Sequence, residues 1–114
     1  MANAHRGEIA ATLGGKRRRL VLTLGALAEL ESAFGVDGLV GLGERFETGR
    51  LRARDLAAIL GAGLRGAGEA ITDEEAGALA HEEGLPGYVG VVARLLAATF
   101  GDAQPAQGAR DARP

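Results

Sequence analysis

Gly61, Gly63 and Gly66 stand at G-x-G-x-x-G spacing, and Glu82 follows roughly 20 residues on, as in a dinucleotide-binding fingerprint. That fingerprint needs a strand before it and a helix opening at it, so that the first amides of the helix hold pyrophosphate. Here the glycines fall within and at the end of a helical stripe of Leu56, Ile59, Leu60 and Leu64. The chain is also too short for paired βαβ halves. Tight helix packing and helix termination are therefore the preferred explanation of the three glycines. Gly15-Lys16 is no phosphate loop, because Ala10 replaces its first glycine and Arg17 the hydroxyl residue that would hold magnesium.

His81-Glu82-Glu83 begins like a zinc-protease helix, but Leu85 occupies the place of the second histidine, so a metal would lack ligands. His5 and His81 are both expected at the surface. Ser32 is the only serine and has no histidine near it in sequence, which leaves triad-type nucleophilic catalysis without support. Asp73, Glu74 and Glu75 fit a helix start, where carboxylates meet the positive end of the helix dipole. Lys16 to Arg19 is the one basic run. On a hairpin, Arg17 and Arg19 point away from the apolar face and discourage edge-to-edge pairing. A helix-turn-helix reading fails on charge: the would-be recognition helix TDEEAGALAHEEG carries five acids and no lysine or arginine, which would face a polyanion. No catalytic, cofactor-binding or metal-binding residue is assigned, and neither nucleic acid nor membrane is expected as a partner.

The elements that would position these residues follow from periodicity. Ile9, Ala11 and Leu13 alternate before Gly14-Gly15, and Leu20, Leu22 and Leu24 alternate after it, which predicts a half-buried hairpin. Two glycines supply the positive φ angles of a tight turn. A first helix is expected from about Ala26 to Phe34, ended by Gly35, and Asp37 is placed to cap a second through Leu39, Leu42 and Phe46, closed by Gly49. The third, about Ala53 to Ala67, carries the stripe of Leu56, Ile59, Leu60, Gly63, Leu64 and Ala67, and Gly63 on it marks a close backbone approach. Thr72 and Glu75 form a capping box for a fourth helix running to about Glu83. Pro86 opens a fifth, with Val89, Val92, Leu96 and Phe100 as its apolar face and Gly101 at its end. The fold class is α+β, an N-terminal β-hairpin followed by about five short helices and mostly helical. Residues 1–101 form one domain, and residues 102–114 can bury almost nothing and are expected to be disordered.

Composition bounds the function classes. The 114 residues suit one domain with a modest core, since alanine is the largest part of the 46% apolar share and only 4% of the chain is aromatic. Partner binding would supply the missing burial. The absence of cysteine excludes disulfides and thiolate chemistry. No signal peptide or membrane span is legible, and the chain is read as cytoplasmic. Residues 1–65 carry ten basic and seven acidic side chains, and 66–114 carry three and eight, an asymmetry suited to an oppositely charged partner or head-to-tail association.

The order RGEIAATLGGKRRRLVLTLGALAELESAFG, then GLGERFETGRLRARDLAAILGAGLRGAGE, then an acid-started helix resembles the small tail protein of gene transfer agents and related tailed phages. That family is classed among phage tail assembly chaperones and is sometimes labelled tail tube protein. The resemblance spans about residues 6 to 101 and is most telling at Leu24 to Glu31 and Leu56 to Gly68. Relatives often carry Asp-Gly or Asn-Gly where Gly14-Gly15 stands. The resemblance implies a non-enzymatic role: binding the hydrophobic tape measure protein and keeping it soluble until tube subunits polymerise around it. A structural tube or connector component is the alternative, and a small nucleotide-binding or DNA-binding regulator a distant third. Other tail proteins are further partners, and a homo-oligomer is compatible. For partner binding, Val89, Val92, Leu96 and Phe100 are the candidates, because a terminal helix undocks most easily. No cofactor is implied.

Overall fold

The computed structural model of the chain describes residues 7–35, 38–49 and 52–101. Two strands, β1 (Glu8–Leu13) and β2 (Lys16–Val21), are followed by α1 (Leu24–Phe34), α2 (Gly38–Glu47), α3 (Ala53–Gly66), α4 (Asp73–Ala78) and α5 (Leu85–Phe100). The expected α+β architecture is present: one antiparallel hairpin and five helices. The Asp37 cap, residues 102–114, and the α2 face of Leu39, Leu42 and Phe46 fall outside the described residues and side chains.

Pairing runs from Glu8 with Val21 to Leu13 with Lys16, and Gly14 and Gly15 make the turn at φ of 64° and 77°. This register puts Ile9, Ala11, Leu13 and Leu20 on one buried face. Arg17 and Arg19 lie on the other, exposed as expected. Arg18 shares the buried side at the sheet margin, where it pairs with Glu69 and its Nε donates to the Leu13 carbonyl at 2.9 Å. A two-stranded sheet is too small to hold itself, and here α3 and α5 cover its inner face.

The alternation does not extend to Leu24. β2 ends at Val21, Leu22 is still buried, and Thr23 begins α1 by accepting from the Ala26 amide at 3.1 Å. Leu24 thus becomes the first helical residue and is 84% exposed. At the other end, Gly35 adopts φ 69° and closes α1 as the sequence indicates. Arg45 of α2 reaches the carbonyl of Phe34 at 3.4 Å and lies 5.3 Å from the Phe34 ring centroid, tying α2 to the end of α1.

α3 is the central element, packing on α1, β2, α4 and α5. Leu56, Ile59, Leu60, Gly63 and Leu64 are buried on it as the periodicity requires. Asp55, also buried, accepts from the Arg52 amide at 2.8 Å and so satisfies a free donor at the helix start. On the far side, Arg65 holds three elements together: it pairs with Glu29 of α1, with Asp73 of α4 at 2.9 Å, and donates to the Ile71 carbonyl at 2.8 Å. Hydrogen bonding to Glu29 chiefly raises its pKa, and Asp73 adds to this against the opposing effect of burial.

α4 starts with the predicted capping box: the Glu75 amide donates to the Thr72 hydroxyl at 3.0 Å and the Thr72 amide to the Glu75 carboxylate at 2.9 Å. It stops at Ala78, well before the expected Glu83. Tertiary bonds explain the early end. The Ala80 carbonyl accepts from the Gly14 amide at 2.8 Å, and the Leu79 carbonyl accepts from the Tyr88 hydroxyl, so both point away from a continuing helix. A short helix depends strongly on its cap. Thr72→Ala is expected to lower stability by about 1 kcal/mol, measured by urea denaturation, with the loss concentrated in amide protection of residues 73–78.

Candidate functional site

Among the described residues, none of the chemically suggestive side chains forms a reactive constellation, and His5 lies outside them. The three glycines of G-x-G-x-x-G lie inside α3, with no strand before them. A Cβ on Gly63 would stand 2.8 Å from the Leu95 side chain and 3.2 Å from Leu20, one on Gly61 would strike Asp73, and one on Gly66 would strike the Val21 carbonyl. The glycines are contact points for α5, α4 and the hairpin. Asp73, Glu74 and Glu75 occupy the first turn of α4, and Ser32 is exposed on α1. Among the described residues no group of acidic and histidine side chains is arranged to hold a metal ion.

His81 departs from the expected surface position. It is half-buried over Gly87, meets the Tyr88 ring edge-on at 6.0 Å between centroids, and accepts the Glu83 amide on Nδ1 at 3.0 Å. It is a packing residue that fixes the α4–α5 connection. Beside it, an open cleft of about 450 Å³ runs between the hairpin and residues 80–82, lined by Thr12, Arg17, His81, Glu82 and Arg94. Arg94 is committed there to the Ala10 carbonyl at 3.2 Å. The cleft brings two arginines and a glutamate together, with the His81 Nδ1 occupied by the Glu83 amide.

The four candidate partner residues of α5 do not share one surface. Val92 is fully buried and Leu96 is 5% exposed, both within the core; Phe100 is half-buried against that core; Val89 is 42% exposed. The helix is rotated relative to the expected stripe, because Val91 and Leu95 also face inward. A stripe two residues wide, Val91-Val92 and Leu95-Leu96, is what a helix packed on both α3 and the hairpin needs.

Of these four, Val89 belongs to the exposed apolar surface. Leu24, Leu85 and Val89 are the large hydrophobic side chains exposed among the described residues. Leu85 and Val89 are one turn apart on α5 and project on the same side. Next to them, α3, α4 and α5 enclose a shallow groove of about 120 Å³ lined by Leu56, Ala57, Leu60, Gly77, Leu85 and Tyr88. Its floor is shallow because a Cβ at Gly77 would sit 3.0 Å from that of Ala57, so α4 lies almost directly on α3. Sequence patterning does not reveal the groove: alanine and glycine carry no apolar signal, and three separate helices supply its walls.

The described helices include none long and apolar enough to cross a membrane. No curated protein and no solved structure matches the chain significantly. Residues 6–102 match the family described as phage tail tube protein, GTA-gp10, which takes in the hairpin and all five helices. With nearly the whole chain matched and the hairpin and helices in place, the chain belongs to this family of phage and gene-transfer-agent tail proteins.

Proposed function

We propose that this chain is a tail assembly chaperone without enzymatic activity, which binds the tape measure protein in the cytoplasm of the producing cell and releases it to the growing tube. The observation carrying this reading is the apolar ridge and groove that α3, α4 and α5 form together. Among the described residues the buried apolar side chains form one core, and Leu85 and Val89 stand outside it beside an apolar groove. A tube subunit is gripped by neighbours on several sides and needs several extended complementary faces. A patch of this kind suits one client.

The second reading, a structural component of the tube, fits the family's description equally. Mass spectrometry of purified particles, run beside affinity capture of the chain from producing cells, separates the two. A chaperone is absent from particles and captures unassembled tape measure. Stoichiometric presence in particles would make the chain a tube component.

A further inference from the structure

From the charges around the α3–α4–α5 groove, we infer that its occupant is an amphipathic helix bearing lysine or arginine beside its apolar stripe. The inference rests on the chaperone reading only for the identity of the client that carries the helix.

The apolar part of the argument is geometric. Leu85 is 61% exposed at the lip of the groove and Val89 continues the same side of α5, so α5 offers an apolar ridge beside an apolar trough. Helices recognise such surfaces through residues at i, i+3, i+4 and i+7. The Tyr88 hydroxyl is already bonded to the Leu79 carbonyl, which fixes the ring in the wall.

Charge then selects among amphipathic helices. Between Arg65 and Arg94 all six charged side chains are acidic: Glu69, Asp73, Glu74, Glu75, Glu82 and Glu83. Glu69 pairs with Arg18, Asp73 with Arg65, and Glu75 caps α4. Glu74, Glu82 and Glu83 have no ion-pair partner among the described residues. Glu83 stands two residues before Leu85 at the α5 lip of the groove, and Glu74 lies one turn before Gly77 on α4, in the cleft next to it. Across α4, a second cleft of about 310 Å³ shares Ala57 and sets Asp55, Asp73 and Glu74 against a single cation, Arg54. A helix flanked by cations gains attraction on entry, and one flanked by acids is repelled.

The test uses the full chain and two synthetic amphipathic helices with the same leucine pattern, one with lysine and one with glutamate at every polar position. Fluorescence anisotropy should show the lysine helix binding at least about tenfold more tightly, the preference shrinking with salt. Leu85→Gln and Val89→Gln, which leave charge unchanged and replace exposed side chains, should each weaken the lysine helix by about tenfold. Glu74→Lys with Glu83→Lys should narrow the preference. Circular dichroism verifies that each variant keeps its helices. Equal binding of the two helices, or binding indifferent to both glutamine variants, overturns the proposal. So does a wild-type dimer that Leu85→Gln converts to monomer, since the occupant is then a second copy. Capture of the tape measure protein with the same variants separates this proposal from the chaperone reading. Capture that survives every groove variant removes the groove and leaves the chaperone. A wild-type chain that binds the lysine helix but no tape measure removes the chaperone and leaves the surface.

Discussion

Gly66→Ala is expected to destabilise the protein by about 3 kcal/mol, a fall of roughly 15 °C in Tm, although alanine is the better helix former. In an exposed helix interior the same exchange stabilises by about 1 kcal/mol, because glycine gives up more backbone freedom on folding. Gly66 is the last residue of α3, and a Cβ there meets the carbonyl oxygen of Val21 at the end of β2. A side chain in the way can turn aside; a main-chain carbonyl moves only if the hairpin moves with it. Gly90, with open space around its missing Cβ, is the internal comparison. Gly90→Ala should raise Tm slightly, and calorimetry of the two variants side by side tests the assignment. If both shift Tm upward, the hairpin does not rest on the end of α3 as described.

The same glycine shows where sequence stops informing structure. G-x-G-x-x-G is legible as text, and its failure as a nucleotide site follows from the helical stripe around it. That Gly63 marks a close approach also follows, since it lies on the stripe. Gly66 lies at the margin, and nothing local says that a strand carbonyl will be set against it. The hairpin, the Gly35 stop and the Thr72–Glu75 box were readable because each is written within a few neighbouring residues. The early end of α4 was not, because it is decided by Gly14 and Tyr88, remote in sequence, which take the Ala80 and Leu79 carbonyls. Leu24 misleads for a related reason: an alternating leucine says "strand" until Thr23 caps a helix in front of it. The candidate site suffers most, since its floor is alanine and glycine and its charge comes from residues whose local role is helix capping.

The phase of α5 decides which of its residues serve the fold and which are free for a partner, and Val92→Asp against Val89→Asp puts this to a test. Val92 is fully buried within the apolar core. An aspartate there must either ionise in an apolar interior or take up a proton at neutral pH, and in both cases the loss is at least ~3 kcal/mol. Small domains have on the order of 5–15 kcal/mol in total, so a large share of stability disappears. The folded-state pKa of the new carboxyl would lie above its unfolded value. Stability should therefore be recovered as pH falls toward 4, the opposite of ordinary acid denaturation. Val89→Asp, on the exposed side of the same helix, should leave Tm nearly unchanged while adding an unpaired acid near the groove. Thermal melts at pH 7 and pH 4.5 read both predictions. A Val92→Asp protein as stable as Val89→Asp would mean that α5 lies on the core with a different face, and that Val89, Val92, Leu96 and Phe100 can be presented together after all. A steep loss at Val92 alone divides the helix into an inner stripe that holds the hairpin on α3 and an outer ridge, Leu85 and Val89, that is available to a client without unfolding.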